Sequence, residues 1–145
     1  LYESSYFSLV NETIFTEPDN KQKWDTQLFI TEKTYKPLMN FHPFIVVSLP
    51  YTLRYLRQQG FQTFPEMFDE YYDVVKDPVI RFEYIIKELT KWKNYSEDEK
   101  NHRYNSIRPK LAFNKWHFLH KNKLDQLKTR KKDMLLSLHP YKNND

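Results

Sequence analysis

Phe44-Ile45-Val46-Val47-Ser48 is continuously apolar up to its last residue and rich in β-branched side chains. A strand with no polar position to turn toward water suits a parallel sheet buried on both faces. Upstream, Tyr6-Phe7-Ser8-Leu9-Val10 reads as a second short buried strand, with Asn11, Glu12 and Thr13 at its carboxyl end. Residues 16–27 are polar, contain Pro18 and Asp19, and read as a surface loop. Thr31 then stands where a helix N-cap belongs, with Glu32 at the first helical position. Pro37 lies too deep for a regular first turn, so this helix is expected to kink or to start irregularly. Downstream, a helix opens near Pro50, offers Leu53, Tyr55 and Leu56 to the core, and closes at Gly60, where a left-handed residue belongs. Phe61-Gln62-Thr63-Phe64 follows as a further short extended piece. Alternation of this kind predicts an α/β layer architecture with a small parallel sheet.

The remainder reads as helical. Asp77-Pro78 is a cap followed by proline at the first helical position, and Phe82, Ile85, Ile86 and Leu89 mark an apolar face at helical spacing. Ser96-Glu97-Asp98-Glu99 has the pattern of a capping box. Pro109 predicts a break or kink in the helix that starts there. Leu124, Leu127, Met134, Leu135 and Leu138 suggest a last helix packing back on the domain, with Asn143, Asn144 and Asp145 frayed. The organisation expected is an α/β domain over residues 1–93 and a helical C-terminal extension over 94–145.

Composition narrows the chemistry. The chain has 145 residues, enough for one domain with its own core. It begins at Leu1 and reads as a processed or excised piece of a longer protein. No apolar run approaches the roughly 20 residues of a membrane span, no secretory signal is visible, and a cytoplasmic location is expected. The absence of Cys removes zinc ribbons, disulfide frameworks and cysteine nucleophiles. A single glycine, Gly60, rules out a P-loop or a G-x-G-x-x-G turn. Phosphate binding here must therefore use a helix N-terminus and cationic side chains.

Thr31-Glu32-Lys33-Thr34-Tyr35-Lys36 offers both. A helix N-terminus carries about half a positive charge, so Lys33 in the first turn costs about 0.3–1 kcal/mol unless an anion offsets it. A diphosphate there would receive backbone N–H groups, the dipole and an ammonium together. Glu32 would accept hydrogen bonds from sugar or ribose hydroxyls. The segment follows the carboxyl end of an apolar strand, where open α/β sheets place ligands. The alternative is an ordinary surface Glu-Lys pair on a capped helix.

Tyr6-Phe7-Ser8-Leu9-Val10-Asn11-Glu12-Thr13, a variable loop, and Phe29-Ile30-Thr31-Glu32-Lys33 together resemble the α1,3-fucosyltransferase family and its viral and bacterial relatives. That family carries a strand ending in Phe-Glu-Asn-Ser/Thr, then Tyr-Val/Ile-Thr-Glu-Lys. Phe29 replaces the tyrosine, and Asn11-Glu12-Thr13 stands in place of Glu-Asn-Ser/Thr, with Glu12 as the equivalent acid. Pro43-Phe44-Ile45-Val46-Val47, Leu53-Arg54-Tyr55-Leu56-Arg57 and Gly60-Phe61-Gln62-Thr63-Phe64 resemble glycosyltransferase-like proteins of large viruses and phages. The resemblance covers about residues 5–90. It implies a Rossmann-like half of a GT-B fold: the C-terminal, donor-binding domain of a glycosyltransferase. A nucleotide-diphosphate sugar would be the substrate, GDP-fucose the favoured one, with no cofactor and no metal. Glu32 and Lys33 would bind the donor, with Glu12, Lys36 and Thr31 as further donor-binding residues. The catalytic base would lie in an N-terminal domain not contained in the chain, and the acceptor would be a glycan, protein or other hydroxyl.

Other clusters have plainer readings. Asp69, Glu70 and Asp73 read as solvated acids at a helix start, with a cation or donor-sugar site as the alternative. Arg54 and Arg57 either reach phosphate or pair with those acids. His117 and His120, three apart, read as surface or packing histidines rather than metal ligands. Residues 1–90 carry 9 Lys/Arg against 13 Asp/Glu, and residues 91–145 carry 14 against 6. The basic end, including Lys128, Arg130, Lys131 and Lys132, reads as a solvated helical face. It also supports a rival function, a non-catalytic module docking on nucleic acid or an anionic membrane. The basic run lacks interleaved aromatics, which argues against a stacking platform for nucleic acid. A Glu32–Lys33 helix end buried against other protein groups would favour the rival.

Overall fold

The computed structural model describes residues 2–16 and 30–138. The expected loop over 16–27, from its second residue on, Phe29 and the frayed C-terminus lie outside the described residues. Two strands, β1 (Ser8–Asn11) and β2 (Phe44–Val47), pair in parallel, with Ser8 opposite Phe44 and Asn11 opposite Val47. Helix α1 (Glu32–Met39) connects them, α2 (Thr52–Gln58) follows β2, and α3 (Pro78–Asn94) and α4 (Glu97–Leu138) complete the chain. Short 3-10 turns span Tyr2–Ser4 and Glu70–Val74. The molecule is a mixed α/β structure in which helix predominates and the sheet is small.

All four residues of β2 are buried, as a strand without polar positions requires. Its amides alternate in direction. Val47 accepts from Glu12 N on the β1 side, and Val46 N turns the other way to the buried Tyr72 hydroxyl. Phe61–Phe64 does not form a third strand. Its backbone is satisfied by side chains instead: the Asn114 amide bridges both the N–H and the carbonyl of Gln62 at 2.8 Å, and Glu70 accepts from Phe64 N at 2.7 Å. Phe61 and Phe64 are nonetheless core residues.

Helix α1 starts at Thr31 as its N-cap, and the amides of Thr34 and Tyr35 both reach the Thr31 carbonyl, a tightened first turn. Pro37 lies inside this helix and is buried. Helix α2 ends in a Schellman motif: Gly60 N donates to Arg57 O and Phe61 N to Leu56 O. Gly60 has φ +91°, the left-handed geometry expected of it. Asp77 caps α3 through the amides of Val79 and Ile80.

The inward face of α3 matches the expected one only in part: Ile85 is fully buried and Leu89 packs against the core. Arg81, Ile85, Glu88 and Trp92 are buried, whereas Phe82 and Ile86 are 46 % and 44 % exposed. The inward polar groups tie down the segments between elements. The Arg81 guanidinium donates to the carbonyls of Phe15, Val75 and Lys76, and Glu88 accepts from Asp69 N. Those bonds offset the desolvation that would otherwise turn charged residues outward.

Ser96 caps α4 through Glu99 N, one half of a capping box. Helix α4 then runs through Pro109 without the expected break. A mid-helix proline costs about 3 kcal/mol, but Ile107, Leu111 and Asn114 around it are buried in the core, which offsets that cost. The separate last helix is also absent: α4 is continuous to Leu138, and Leu127, expected to pack back, is 53 % exposed.

Candidate functional site at the carboxyl end of β1

The two parallel strands end on the same edge, and α1 begins there. Glu12, one residue past β1, is 5 % exposed. Its carboxylate accepts from Thr31 N at 3.2 Å, Thr31 Oγ1 at 2.7 Å and Thr34 Oγ1 at 2.6 Å. Thr31 Oγ1 in turn accepts from Lys33 N at 3.2 Å. Thr31 and Thr34 lie three apart, so one turn of α1 brings both hydroxyls to the same side.

An internal carboxylate thus occupies the positive end of α1, which a diphosphate was expected to fill. The amides of Thr31 and Lys33 are taken. Glu32, Lys33 and Lys36 remain exposed, so the helix end is open at its charged side chains. Lys33 Nζ lies 3.4 Å from Thr13 Oγ1, which brings the ammonium back over the end of β1. Of the five residues picked from sequence, Glu12, Thr31 and Lys33 therefore form one connected group, with Glu32 beside it and Lys36 one turn further along α1. Thr34 and Thr13 were not anticipated. The Thr31–Thr34 spacing is the only sequence signal that points to Thr34.

Glu70 and Asp73 are structural rather than solvated, whereas Asp69 is exposed at the start of the 3-10 turn, as expected, and accepts from Tyr71 N at 3.0 Å. Asp73 is 2 % exposed and accepts from Leu53 N at 2.7 Å and Arg54 N at 3.0 Å, capping α2 from a distant segment. Burial pushes its carboxyl above the usual range, against the lowering effect of those amides and of Arg57. Glu70 is raised for the same reason, while Thr63, Phe64 N and Arg57 pull the other way. Arg57 lies 3.1 Å from Glu70 and 3.7 Å from Asp73, so it pairs with the acids rather than standing free. Arg54 lies over the Tyr51 ring. His117 Nε2 meets Gln59 O at 2.8 Å and His120 Nδ1 meets Trp116 O at 2.7 Å. Among the described residues no group of three His, Asp or Glu side chains is placed to hold a metal ion.

His42, not singled out from sequence, is 1 % exposed at the opposite end of the sheet. Nε2 faces Ser5 O at 2.9 Å, which assigns it the proton, and Nδ1 then accepts from Ser8 Oγ at 2.9 Å. Burial lowers its pKa, with the Ser5 carbonyl opposing. It fastens the N-terminal segment to β1.

Comparison with protein-family models, with curated proteins and with solved structures found no match. No helix among the described residues is long and apolar enough to cross a membrane.

Proposed function

We propose that this chain is the donor-binding part of a metal-independent glycosyltransferase, a Rossmann-like half of a GT-B fold, taking a nucleotide-diphosphate sugar with GDP-fucose favoured. The observation that carries the reading is the Glu12–Thr31 contact. It pins the start of α1 to the carboxyl edge of a parallel sheet and leaves Glu32 and Lys33 exposed on that edge, where α/β sheets bind nucleotides. The motif resemblance supplies the substrate class.

In this reading Lys33 meets the diphosphate as a point charge, with Lys36 one turn along. Glu32 accepts hydrogen bonds from sugar or ribose hydroxyls. Glu12 and Thr31 position the helix rather than touch the donor, since Glu12 is buried and the Thr31 hydroxyl is engaged on both sides. The acceptor hydroxyl attacks the anomeric carbon, its proton passes to a carboxylate base in another domain, and the nucleoside diphosphate leaves. Lys33 stabilises the charge that develops on the leaving group.

Titration calorimetry with GDP, UDP and CDP tests the proposal. GDP should bind most tightly. No heat with any of the three at millimolar concentration overturns it. Binding that survives Lys33→Ala unchanged removes Lys33 from the site.

A further inference from the structure

Helix α4 outlasts the body on which it packs. Phe118 still meets Tyr35, with ring centres 5.3 Å apart, and Lys121 Nζ reaches Gln59 Oε1. From Lys123 to Lys132 every described side chain is exposed. The helix continues to Leu138, about 25 Å beyond Lys121 at 1.5 Å per residue.

Positions along this run sort by chemistry. Phe113, Trp116 and Leu127 fall on one stripe at helical spacing and are 37 %, 49 % and 53 % exposed. Lys128 borders it on one side, Lys123 and Arg130 on the other, and Lys131 interrupts it. Asp125 falls on the opposite half of the helix, together with Lys121 and Lys132.

Exposed cations on both borders of an exposed apolar stripe suit a helix lying in the surface of a bilayer. The apolar stripe enters the headgroup–acyl boundary, and Lys and Arg stems reach outward to lipid phosphates. A second copy packed along the same stripe would set Lys and Arg borders against one another, a like-charge arrangement. Nucleic acid would use the cations but give Trp116 and Leu127 no apolar surface to cover. We infer that the free run of α4 docks on an anionic lipid bilayer, lying in its plane. The inference is independent of the donor-binding reading.

Co-sedimentation with vesicles tests it, using phosphatidylcholine alone and equal parts phosphatidylcholine and phosphatidylglycerol. The protein should sediment only with the anionic vesicles. Two exposed-site variants separate the contributions: Trp116→Gln/Leu127→Gln removes apolar contact, and Lys128→Glu/Arg130→Glu reverses charge. Each should weaken partitioning about tenfold or more, with circular dichroism unchanged. Absence of binding to anionic vesicles overturns the inference, as does binding that persists in either variant. Equal retention on duplex DNA that only the charge variant abolishes would mark a general electrostatic surface instead.

Discussion

Glu12 and Thr34 stand 22 positions apart and meet at 2.6 Å, the carboxylate at the end of β1 accepting the hydroxyl buried in the first turn of α1. With Thr31 donating twice to the same carboxylate, this junction sets where α1 begins relative to the sheet. Glu12→Ala leaves two threonine hydroxyls and one amide short of an acceptor, and should destabilise the fold by about 2–4 kcal/mol. Glu12→Gln keeps an acceptor of the same shape and should cost less. Urea unfolding measures both, and equal losses would show that the charge, not the geometry, matters.

Lys33 predicts the opposite profile. Its side chain is exposed and makes one long contact, to Thr13, so Lys33→Ala should change stability by no more than about 0.5 kcal/mol. If it meets phosphate, losing one charge-assisted contact should weaken GDP binding about 10- to 100-fold. Lys36→Ala, one turn further from the end of β1, should weaken it less. Calorimetry on the two variants ranks them, and the reverse order would move the phosphate along α1.

Much of this edge was legible because local chemistry dictated it. An unbroken aliphatic run gave β2, a threonine before Glu-Lys gave the N-cap, and a lone glycine gave the end of α2. What escaped depends on partners distant in sequence. Nothing local says that Asp73 caps α2 through the amide of Leu53, twenty residues earlier, or that Asn114 takes the place of a third strand beside Gln62. The same holds for α3, whose apolar spacing points correctly to Ile85 and Leu89 but also to Phe82 and Ile86, where the inner face instead holds Arg81 and Glu88. Glu12 stands out in the sequence as the equivalent of the acid in the fucosyltransferase motif, and nothing local shows that it is buried and bonded to Thr31 and Thr34.

Asp73 and Glu70 make stability depend on pH. Burial raises both above their ordinary values of 3.8 and 4.5. A carboxyl with a raised folded pKa holds its proton more tightly in the native state. Its contribution is therefore full below the unfolded pKa and lost as pH rises through the folded one. Stability from these two groups should fall as pH rises from about 4. Glu97, held low by Lys100 and Tyr6, acts with the opposite sign, so the useful comparison is between variant and wild type. Asp73→Asn should flatten the slope, and the wild type's advantage over it should shrink with rising pH. Parallel pH profiles in urea unfolding would refute the assignment.

Gly60 faces two constraints at once. Its φ of +91° is one that side-chain-bearing residues rarely adopt, and a Cβ there would lie 2.7 Å from His117 Cε1 and Nε2. The ring cannot simply swing aside, because Nε2 holds the Gln59 carbonyl at 2.8 Å and the ring packs on Phe61 and Phe113. Gly60→Ala should therefore cost more than the roughly 1 kcal/mol of backbone strain alone, about 2–4 kcal/mol with the overlap included. The two parts separate in a double-mutant cycle. His117→Ala removes the overlap but not the strained φ, so Gly60→Ala should be less damaging in that background by at least about 1 kcal/mol. Thermal or urea unfolding of the four proteins gives the coupling. Strict additivity would show that the helix end yields to the new methyl without involving His117.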